Sequence, residues 1–315
     1  MEMNKNTNPR MAELLATTAL PLLVLSTASQ AADPSVLADL QDRDIEEVVV
    51  VDKYHQNGLV SATKTPTPVL DVPQSLSFFT SEQISDQALS DIGDILRFTP
   101  AATVGQGEGH RDQITIRGQN TTADFFIDCL RDDVEYFRPL YNLERVEILR
   151  GANALVFGRG GGGGVVNRVS KTPVLGEDFT AVSSAIDTFG AVTLSGDTNI
   201  SVSDTAAFRL NAFYESLENH RDTFGGDRFA VNPTFNAKLA DDTRILLSYE
   251  YVNDERTVDR GVPSLNGEPL RGFDDTFFGA EDANETDLEA HIVRARIDHD
   301  FSEALTFNTT VQYAN

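Results

Sequence analysis

The sequence predicts a transmembrane antiparallel β-barrel behind a compact, amino-terminal mixed α/β domain. Three observations carry this expectation. From about Phe179 the chain repeats segments in which apolar and polar residues alternate with period two. The links between those segments alternate between short and long. The chain also opens with a segment that reads as an export signal. A tilted strand crossing a bilayer needs about ten residues and strict alternation, one face toward lipid and the other toward a polar interior.

The amino terminus begins with the basic residues Lys5 and Arg10. Leu14 to Leu25 is mostly apolar, broken by Thr and Pro, and too short to span. Ser29-Gln30-Ala31 offers a small-x-small cleavage site, so residues 1–31 are expected to be a signal peptide. The competing reading is a short buried helix. Lys and Arg total 25 against 49 Asp and Glu, for a net charge of −24. This excludes nucleic acid as a natural partner, because phosphate binding needs a basic face. The single cysteine, Cys129, cannot close an internal disulfide. An exported acidic chain without disulfides fits a bacterial envelope.

Residues 32–45 are polar and acidic, and are expected to be flexible. Four consecutive valines follow, Val48 to Val51, flanked by Glu46, Glu47 and Asp52. They make a strand without a local partner. Two readings stand: the strand adds itself to the sheet edge of another protein, or it belongs to the next domain.

Residues 53–172 read as the mixed α/β domain. Thr80 and Gln83 have capping-box spacing at the head of a short helix. Ser90 is the expected cap of a second helix carrying Ile92, Ile95 and Leu96, stopped by Pro100. Ile114 and Ile116 alternate as in a strand, and Phe125–Ile127 and Val146–Ile148 read as further strands. Ala152 to Phe157 is expected to form a helical turn.

Residues 173–315 read as the first part of the barrel. Phe208, Leu210, Ala212 and Tyr214 alternate with Arg209 and Asn211. Val293, Ala295 and Ile297 alternate with Arg294, Arg296 and Asp298; Leu305, Phe307, Val311 and Tyr313 share one face. Short turns are expected near Ser203-Asp204, Asp241-Asp242 and Ser302-Glu303, and long links at 218–227 and 253–285. A soluble β-sandwich also has alternating strands. The loop-length asymmetry and the export signal favour the barrel. About seven strands are expected, too few to close a polar lumen without unpaired edges in lipid, so the reading implies a longer barrel.

Gly160 to Gly164 form an uninterrupted run. A nucleotide loop would continue into Lys-Ser or Lys-Thr and a helix. Here Val165-Val166-Asn167-Arg168-Val169 continues as a strand, so no helix amino terminus awaits a phosphate. The glycines are expected to let the backbone pass close to a neighbour.

Several stretches together resemble the TonB-dependent siderophore receptors of the outer membrane. They are Ile116-Arg117-Gly118, Phe126-Ile127-Asp128, Leu143 through Gly151, Phe157-Gly158-Arg159, and Val166 through Lys171. The run from Arg111 to Arg117 and the glycine run resemble the branch that takes iron–catecholate siderophores. The resemblance implies an amino-terminal plug domain inside a barrel of about 22 strands, of which this chain would hold about seven. It implies that residues 46–52 are the energy-coupling box, with Glu47, Val48, Val49, Val50, Val51 and Asp52 pairing with TonB. It implies that Arg117, Glu144, Glu147 and Arg150 hold the plug against the barrel wall. Where the family usually has Asp-Gly, this chain has Asp128-Cys129. Cysteine tolerates positive φ poorly, so an altered turn is expected there.

The resemblance also points the loops 104–111 and 131–141 outward. They carry Gln106, Glu108, His110, Arg111, Arg131, Tyr136, Phe137, Arg138 and Tyr141. Arginines and aromatics suit a bulky, anionic ferric catecholate by charge and stacking. His110, Asp112, Asp132 and Asp133 match no standard metal template, and the siderophore itself would wrap the iron. No catalytic residue and no cofactor is expected, since no nucleophile–base pair is visible. The expected setting is the outer membrane of a Gram-negative bacterium. The expected partners are TonB with its inner-membrane energising complex, a ferric siderophore and membrane lipid, with the receptor a monomer. Receptors for cobalamin, haem or a glycan, a truncated receptor without function, a signalling receptor, a passive porin and a soluble enzyme are the rival readings.

Overall fold

The computed structural model describes residues 59–64, 67–158, 160–280 and 282–315. The expected signal peptide (1–31), flexible segment (32–45) and valine box (46–52) lie outside the described residues.

The amino-terminal domain begins with a small antiparallel pair, β1 (Leu59–Val60) and β2 (Thr67–Pro68). β3 (Ser75–Thr80) runs into helix α1 (Ser81–Asp86), and Thr80 caps it by accepting from the Gln83 N–H at 3.2 Å. Helix α2 (Ile92–Arg97) departs from expectation at its head. Its cap is Asp91, which accepts from the Asp94 N–H at 2.8 Å. Ser90 instead donates its N–H and Oγ to Asp94, both at 3.0 Å. Asp91 takes the cap while Asp94, three residues on, reaches back to the chain before it, so both carboxylates satisfy donors at the helix head.

β4 (Ala102–Val104), β5 (Ile114–Ile116) and β6 (Gln119–Thr121) make a small antiparallel sheet. β7 (Phe125–Ile127), β8 (Leu130–Arg131), β9 (Leu143–Arg150) and β10 (Gly164–Ser170) join β3 in the order β3-β9-β10-β7-β8. Only β7 and β10 run parallel in that sheet. The single turn α3 (Ala154–Phe157) precedes the glycines. Because strand residues alternate, β9 sends Val146 and Ile148 toward Ile92, Ile95, Leu96 and Ile114, and Leu149 toward Ala62, Phe126 and Phe157.

The second sheet is a seven-stranded antiparallel meander. Its strands are β11 (Phe179–Ile186), β12 (Val192–Ser203), β13 (Ala206–Leu217), β14 (Gly226–Ala240) and β15 (Thr243–Thr257), then β18 (Glu285–Ser302) and β19 (Leu305–Ala314). β16 (Ser264–Leu265) and β17 (Glu268–Pro269) form a hairpin within the longest link. The Asn266-Gly267 pair turns that hairpin with positive φ at both residues. Short turns fall at 204–205, 241–242 and 303–304, and the links at the other end are 187–191, 218–225 and 258–284. The sequence reading had begun the last link at Asn253, but β15 stays paired with β18 as far as Thr257. Alternation is weak there because Asn253, Asp254, Glu255 and Arg256 are all polar.

The polarity of this sheet is reversed relative to a soluble one. The covered face carries Arg209, Asn211, Arg228, Asn232, Glu250, Asp254 and Arg294, all buried. The opposite face exposes Val182, Leu194, Leu210, Phe229, Leu247, Val293, Phe301, Val311 and Tyr313. No helix among the described residues is long and apolar enough to cross a membrane.

The glycine run closes on the domain itself. Asp124 accepts from the Gly161 N–H at 2.7 Å. A Cβ at Gly163 would overlap the Ile116 carbonyl oxygen, and one at Gly164 would lie 2.5 Å from the Leu149 carbonyl oxygen. Gly162 has open space. Gly163→Ala is therefore expected to destabilise the domain by about 2 kcal/mol or more, while Gly162→Ala stays within about 0.5 kcal/mol. Urea unfolding of the two variants in detergent checks this.

Candidate functional site

Loop 131–142 folds back over β10 and buries four charges. Asp132 Oδ2 accepts from Arg138 Nε at 2.8 Å and from Arg168 Nη2 at 2.5 Å. Asp112 Oδ2 accepts from the Arg138 backbone N–H at 2.9 Å and from Arg138 Nη1 at 3.4 Å. Arg168 is 0% and Arg138 1% exposed. Two arginines and two aspartates leave the cluster neutral, as burial requires. The Arg138 guanidinium also lies 4.0 Å from the centre of the Phe125 ring. Burial would raise the Asp132 carboxyl, but the Arg138 and Arg168 charges outweigh it and hold it below the usual range. At Asp112 burial wins and Arg138 offsets it only in part, so its pKa is pushed up to about 6.

The expected ligand residues divide into two groups. Gln106 and Glu108 are exposed, and His110, Arg111, Arg131 and Phe137 are half-buried. Arg111 pairs with Glu135 at 2.5 Å and with Glu108 at 3.5 Å. Arg131 donates to the Ala123 carbonyl at 2.5 Å and lies over the Phe126 ring. Phe137 carries the Arg256 guanidinium 4.4 Å above its ring. The other three differ from expectation. Tyr136 and Arg138 are buried within the ionic cluster, and the Tyr141 ring stacks on Phe213 at 5.6 Å. Their side chains tie the domain to itself and to the covered face of the second sheet.

The four expected lock residues are likewise spread. Glu147 is buried and serves its own domain: it accepts from the Ala62 N–H at 2.8 Å, Arg145 Nε at 2.8 Å and Asn167 Nδ2 at 3.1 Å. It thereby anchors the segment that begins at Leu59. Arg150 donates to Ser75 Oγ (2.9 Å) and Ser77 Oγ (2.7 Å), pinning β3 to β9. Burial lowers the pKa of Arg150, and the nearby Arg117 charge adds to it. Arg117 is exposed in the β5–β6 turn with φ +50°, its guanidinium against Gly151. Glu144 lines a cleft with Lys171, Asp197 and Arg209.

Contacts between the amino-terminal domain and the second sheet come mainly from residues that sequence reasoning left unassigned. Arg294 on β18 pairs with Asp128 and donates to Ser170 Oγ at 3.1 Å. Asn142 Nδ2 donates to Glu250 on β15 at 3.0 Å. Lys171 reaches Asp197 on β12 at 3.0 Å, and Arg209 on β13 donates to the Thr172 carbonyl at 2.9 Å. Gln312 on β19 donates to the Arg131 carbonyl at 3.0 Å. Alternation did place Arg209 and Arg294 on the polar face, but partners in the other domain 37 residues away for Arg209 and 166 for Arg294 leave no local signal. The Asp128-Cys129 turn keeps left-handed φ at both residues, +48° and +66°. The expected alteration is absent, because the Cys129 N–H bonds to Asn167 Oδ1 at 2.8 Å and Asp128 is held by Ser170 N–H and Arg294. Burial pushes the Cys129 thiol up to about 12, which makes it a poor nucleophile.

A family model for the TonB-dependent receptor plug domain matches residues 68–165. The chain is 29% identical to the probable TonB-dependent receptor BfrD of Bordetella pertussis, over 98% of this chain and 42% of that protein. It is 28% identical to the probable TonB-dependent siderophore receptor PiuA of Acinetobacter baumannii, over 85% of this chain and 37% of that one. The crystal structure of PiuA superposes with a TM-score of 0.77 at 27% identity, covering 83% of this chain and 39% of PiuA. That of the ferric-catecholate import receptor Fiu of Escherichia coli superposes with a TM-score of 0.72 at 26% identity, covering 80% and 40%. The chain thus spans about two fifths of the length of these relatives.

Three outcomes follow from the geometry. Asp132→Asn removes the carboxylate that Arg138 and Arg168 share, leaving Arg138 to Asp112 alone and Arg168 without its ion pair, and should cost about 3–5 kcal/mol in denaturant unfolding. Asp112 has a folded pKa above its ordinary value, so its stabilisation is full below pH ~4 and is lost as the pH rises through ~6, by about 3 kcal/mol. Asp112→Asn should flatten the stability profile across that window. Glu147→Ala should accelerate hydrogen exchange at the Ala62 amide at least about tenfold while the β9–β10 amides stay protected, as mass spectrometry would show.

Proposed function

We propose that this chain, which carries a TonB-dependent receptor plug domain and resembles the siderophore receptors of that class, is the plug and first wall of an outer-membrane importer of ferric siderophores. One observation carries the reading. A plug domain packs its charged surface against the polar face of a sheet whose other face is apolar and exposed. Water on the exposed face would be unfavourable across its whole breadth, whereas lipid satisfies it.

The dimensions support a membrane band. From Val293 to Phe301 the exposed apolar positions of β18 run about 26 Å along the strand, at roughly 3.3 Å per residue. At a strand tilt of about 40° this rises about 20 Å, which approaches the ~25 Å apolar band of outer-membrane barrels. Toward the long links the band gives way to a row of exposed carboxylates, Asp227, Glu255 and Asp287, which face one another across adjacent strands. Like charges side by side are costly unless well solvated, so this row belongs in water or among headgroups. Tyr214, Phe229 and Tyr251 lie just beneath it, as in an interfacial aromatic belt. The long links then face outward and the short turns face the periplasm.

In this reading residues 53–172 are the plug and 173–315 the start of a 22-strand barrel, of which β11–β15, β18 and β19 are the first seven strands. Glu47 to Asp52 supply the strand that TonB captures at its sheet edge. The inner-membrane proton gradient, acting through TonB's partner proteins, supplies the pull, and the receptor works as a monomer. Gln106, Glu108, His110 and Arg111 remain the apical ligand contacts, with Arg131 and Phe137 beside them. Tyr136, Arg138 and Tyr141 support that surface from below. Asp128–Arg294, Asn142–Glu250 and Lys171–Asp197 hold the plug in its seat, with Glu144 next to the last of these. The ligand class is a ferric catecholate, supported by the arginine- and aromatic-bearing apex and by the likeness to Fiu. A cobalamin, haem or glycan ligand is the alternative. Binding assays with ferric catecholate, ferric hydroxamate and cobalamin separate them.

Val49→Pro removes a ladder donor from the box. It should abolish uptake of radiolabelled ferric siderophore by whole cells and leave binding intact. Uptake at the wild-type rate would rule out energy coupling through this segment.

A further inference from the structure

One arginine sits where two outer links meet. Arg221 lies in the link between β13 and β14, and its side chain is 11% exposed. Its guanidinium grips the longest link, 258–284, at two separate places. Nε pairs with Asp259 Oδ2 at 2.9 Å, near the start of that link. Nη1 donates to the carbonyl oxygens of Thr276 (3.1 Å) and Phe273 (3.4 Å), near its far end. The adjacent Asp222 N–H donates to the Asp275 carbonyl at 2.8 Å.

The other side of Asp259 meets the plug. Gly109 has φ +84°, and a Cβ there would stand 2.6 Å from the Asp259 carbonyl oxygen and 3.1 Å from its nitrogen. Only glycine lets the link lie this close. Asp259 Oδ1 accepts from the Gly261 N–H at 2.8 Å, and Gly261 lies against the Gln106 side chain. Asp259 is therefore held by Arg221 on one side and seated on the apex loop on the other.

We propose that Arg221 is a positioning residue for ligand recognition. It fixes link 258–284 against the plug apex at Gly109. The link then stands directly beside the apex loop that carries Gln106, Glu108, His110 and Arg111. This inference rests on the receptor reading above. A link this long, with one two-residue hairpin, has no regular structure to hold it over the apex. A planar guanidinium with several fixed donors can hold a carboxylate and two carbonyls together, which a lysine ammonium does less well. The grip at the Phe273 carbonyl also fixes two exposed aromatics, Phe273 and Phe278, packed edge-on at 5.8 Å. An anionic complex with aromatic faces would meet them as it descends to the apex.

The test uses the receptor in outer-membrane vesicles, with ferric tris(2,3-dihydroxybenzoate) and a ferric hydroxamate as probes. Hydrogen exchange reads the link and the apex loop, and equilibrium and stopped-flow binding read recognition. In Arg221→Ala, exchange over 258–262 and 272–277 should rise at least about tenfold, with the β13 and β14 strand amides unchanged as the control for folding. Affinity should fall about ten- to a hundredfold, mainly through faster dissociation. Arg221→Lys should fall between. The reversed pair, Arg221→Asp with Asp259→Arg, should recover protection near 259 and not near 273–276. Unchanged exchange in Arg221→Ala overturns the positioning role. Raised exchange with unchanged affinity overturns the recognition role. Binding of the hydroxamate alone overturns the catecholate assignment, and the affinity series is then read with that complex. If the wild type binds neither probe, the receptor reading for siderophores falls and the recognition role falls with it. The exchange pattern still decides whether Arg221 places the link.

Discussion

A sheet that turns its polar side chains inward needs a polar object to pack against them. That constraint organises the rest of this molecule. β13, β14, β15 and β18 aim Arg209, Asn211, Arg228, Asn232, Glu250 and Arg294 at the covered side, where water is largely excluded. Each buried charge without a partner would cost several kcal/mol. The amino-terminal domain answers with Asp128, Asn142, Tyr141 and the carbonyls of Thr172 and Phe137. Its own hydrophobic core lies deeper, between β9 and the helices. Among the described residues, the buried apolar cluster that joins the domain to the sheet is small and centres on Tyr136, Phe213, Ala230, Val252 and Ala290. A domain seated mainly by hydrogen bonds can leave its seat at lower cost than one seated by apolar area, since each such bond contributes only about 1 kcal/mol net.

The amino-terminal domain also buries an ionic cluster under loop 131–142. Asp132 receives two guanidiniums, and Asp112 receives the third face of Arg138. Ion pairs of this kind stabilise little against an apolar replacement, yet breaking one partner is costly. Their effect is to specify a single arrangement of loop 131–142 over β10. Loop 104–111 adjoins the same cluster through Asp112, which accepts from the Arg138 backbone. The same logic recurs on a smaller scale where Glu147 collects Ala62, Arg145 and Asn167 at one carboxylate. In the proposed receptor that carboxylate holds the chain that leads from the TonB-binding strand into the plug at Ala62.

Much of this architecture was legible in the chain. Period-two alternation in Phe208–Tyr214 and Leu305–Tyr313 gave the strand faces, because side-chain direction in a strand depends only on parity. Polar pairs between apolar runs predict turns near Ser203-Asp204, Asp241-Asp242 and Ser302-Glu303, and the turns fall at or one residue beyond those pairs. The capping oxygen of Thr80 was readable because a cap acts within three residues. Local rules were less secure at Ser90-Asp91, where two competent caps stand side by side, and at Asn253 to Arg256, where polarity hid a strand that cross-strand pairing alone sustains. They also misjudged Asp128-Cys129, whose left-handed turn is held by Asn167, Ser170 and Arg294 from outside the hairpin.

The sequence by itself determined the main element types, the two regions, the inward parity of Arg209 and Arg294 and the strand that follows the glycine run. Each of those depends on neighbours within a few residues. Only the tertiary structure decided which charges meet. Glu147 turned to Ala62 and not to the wall, Arg138 sank into the plug, and Arg221 crossed between links to Asp259. Electrostatic pairing acts through space over a few ångströms, so residues far apart in the chain become partners only when packing brings them there, and no local pattern records it.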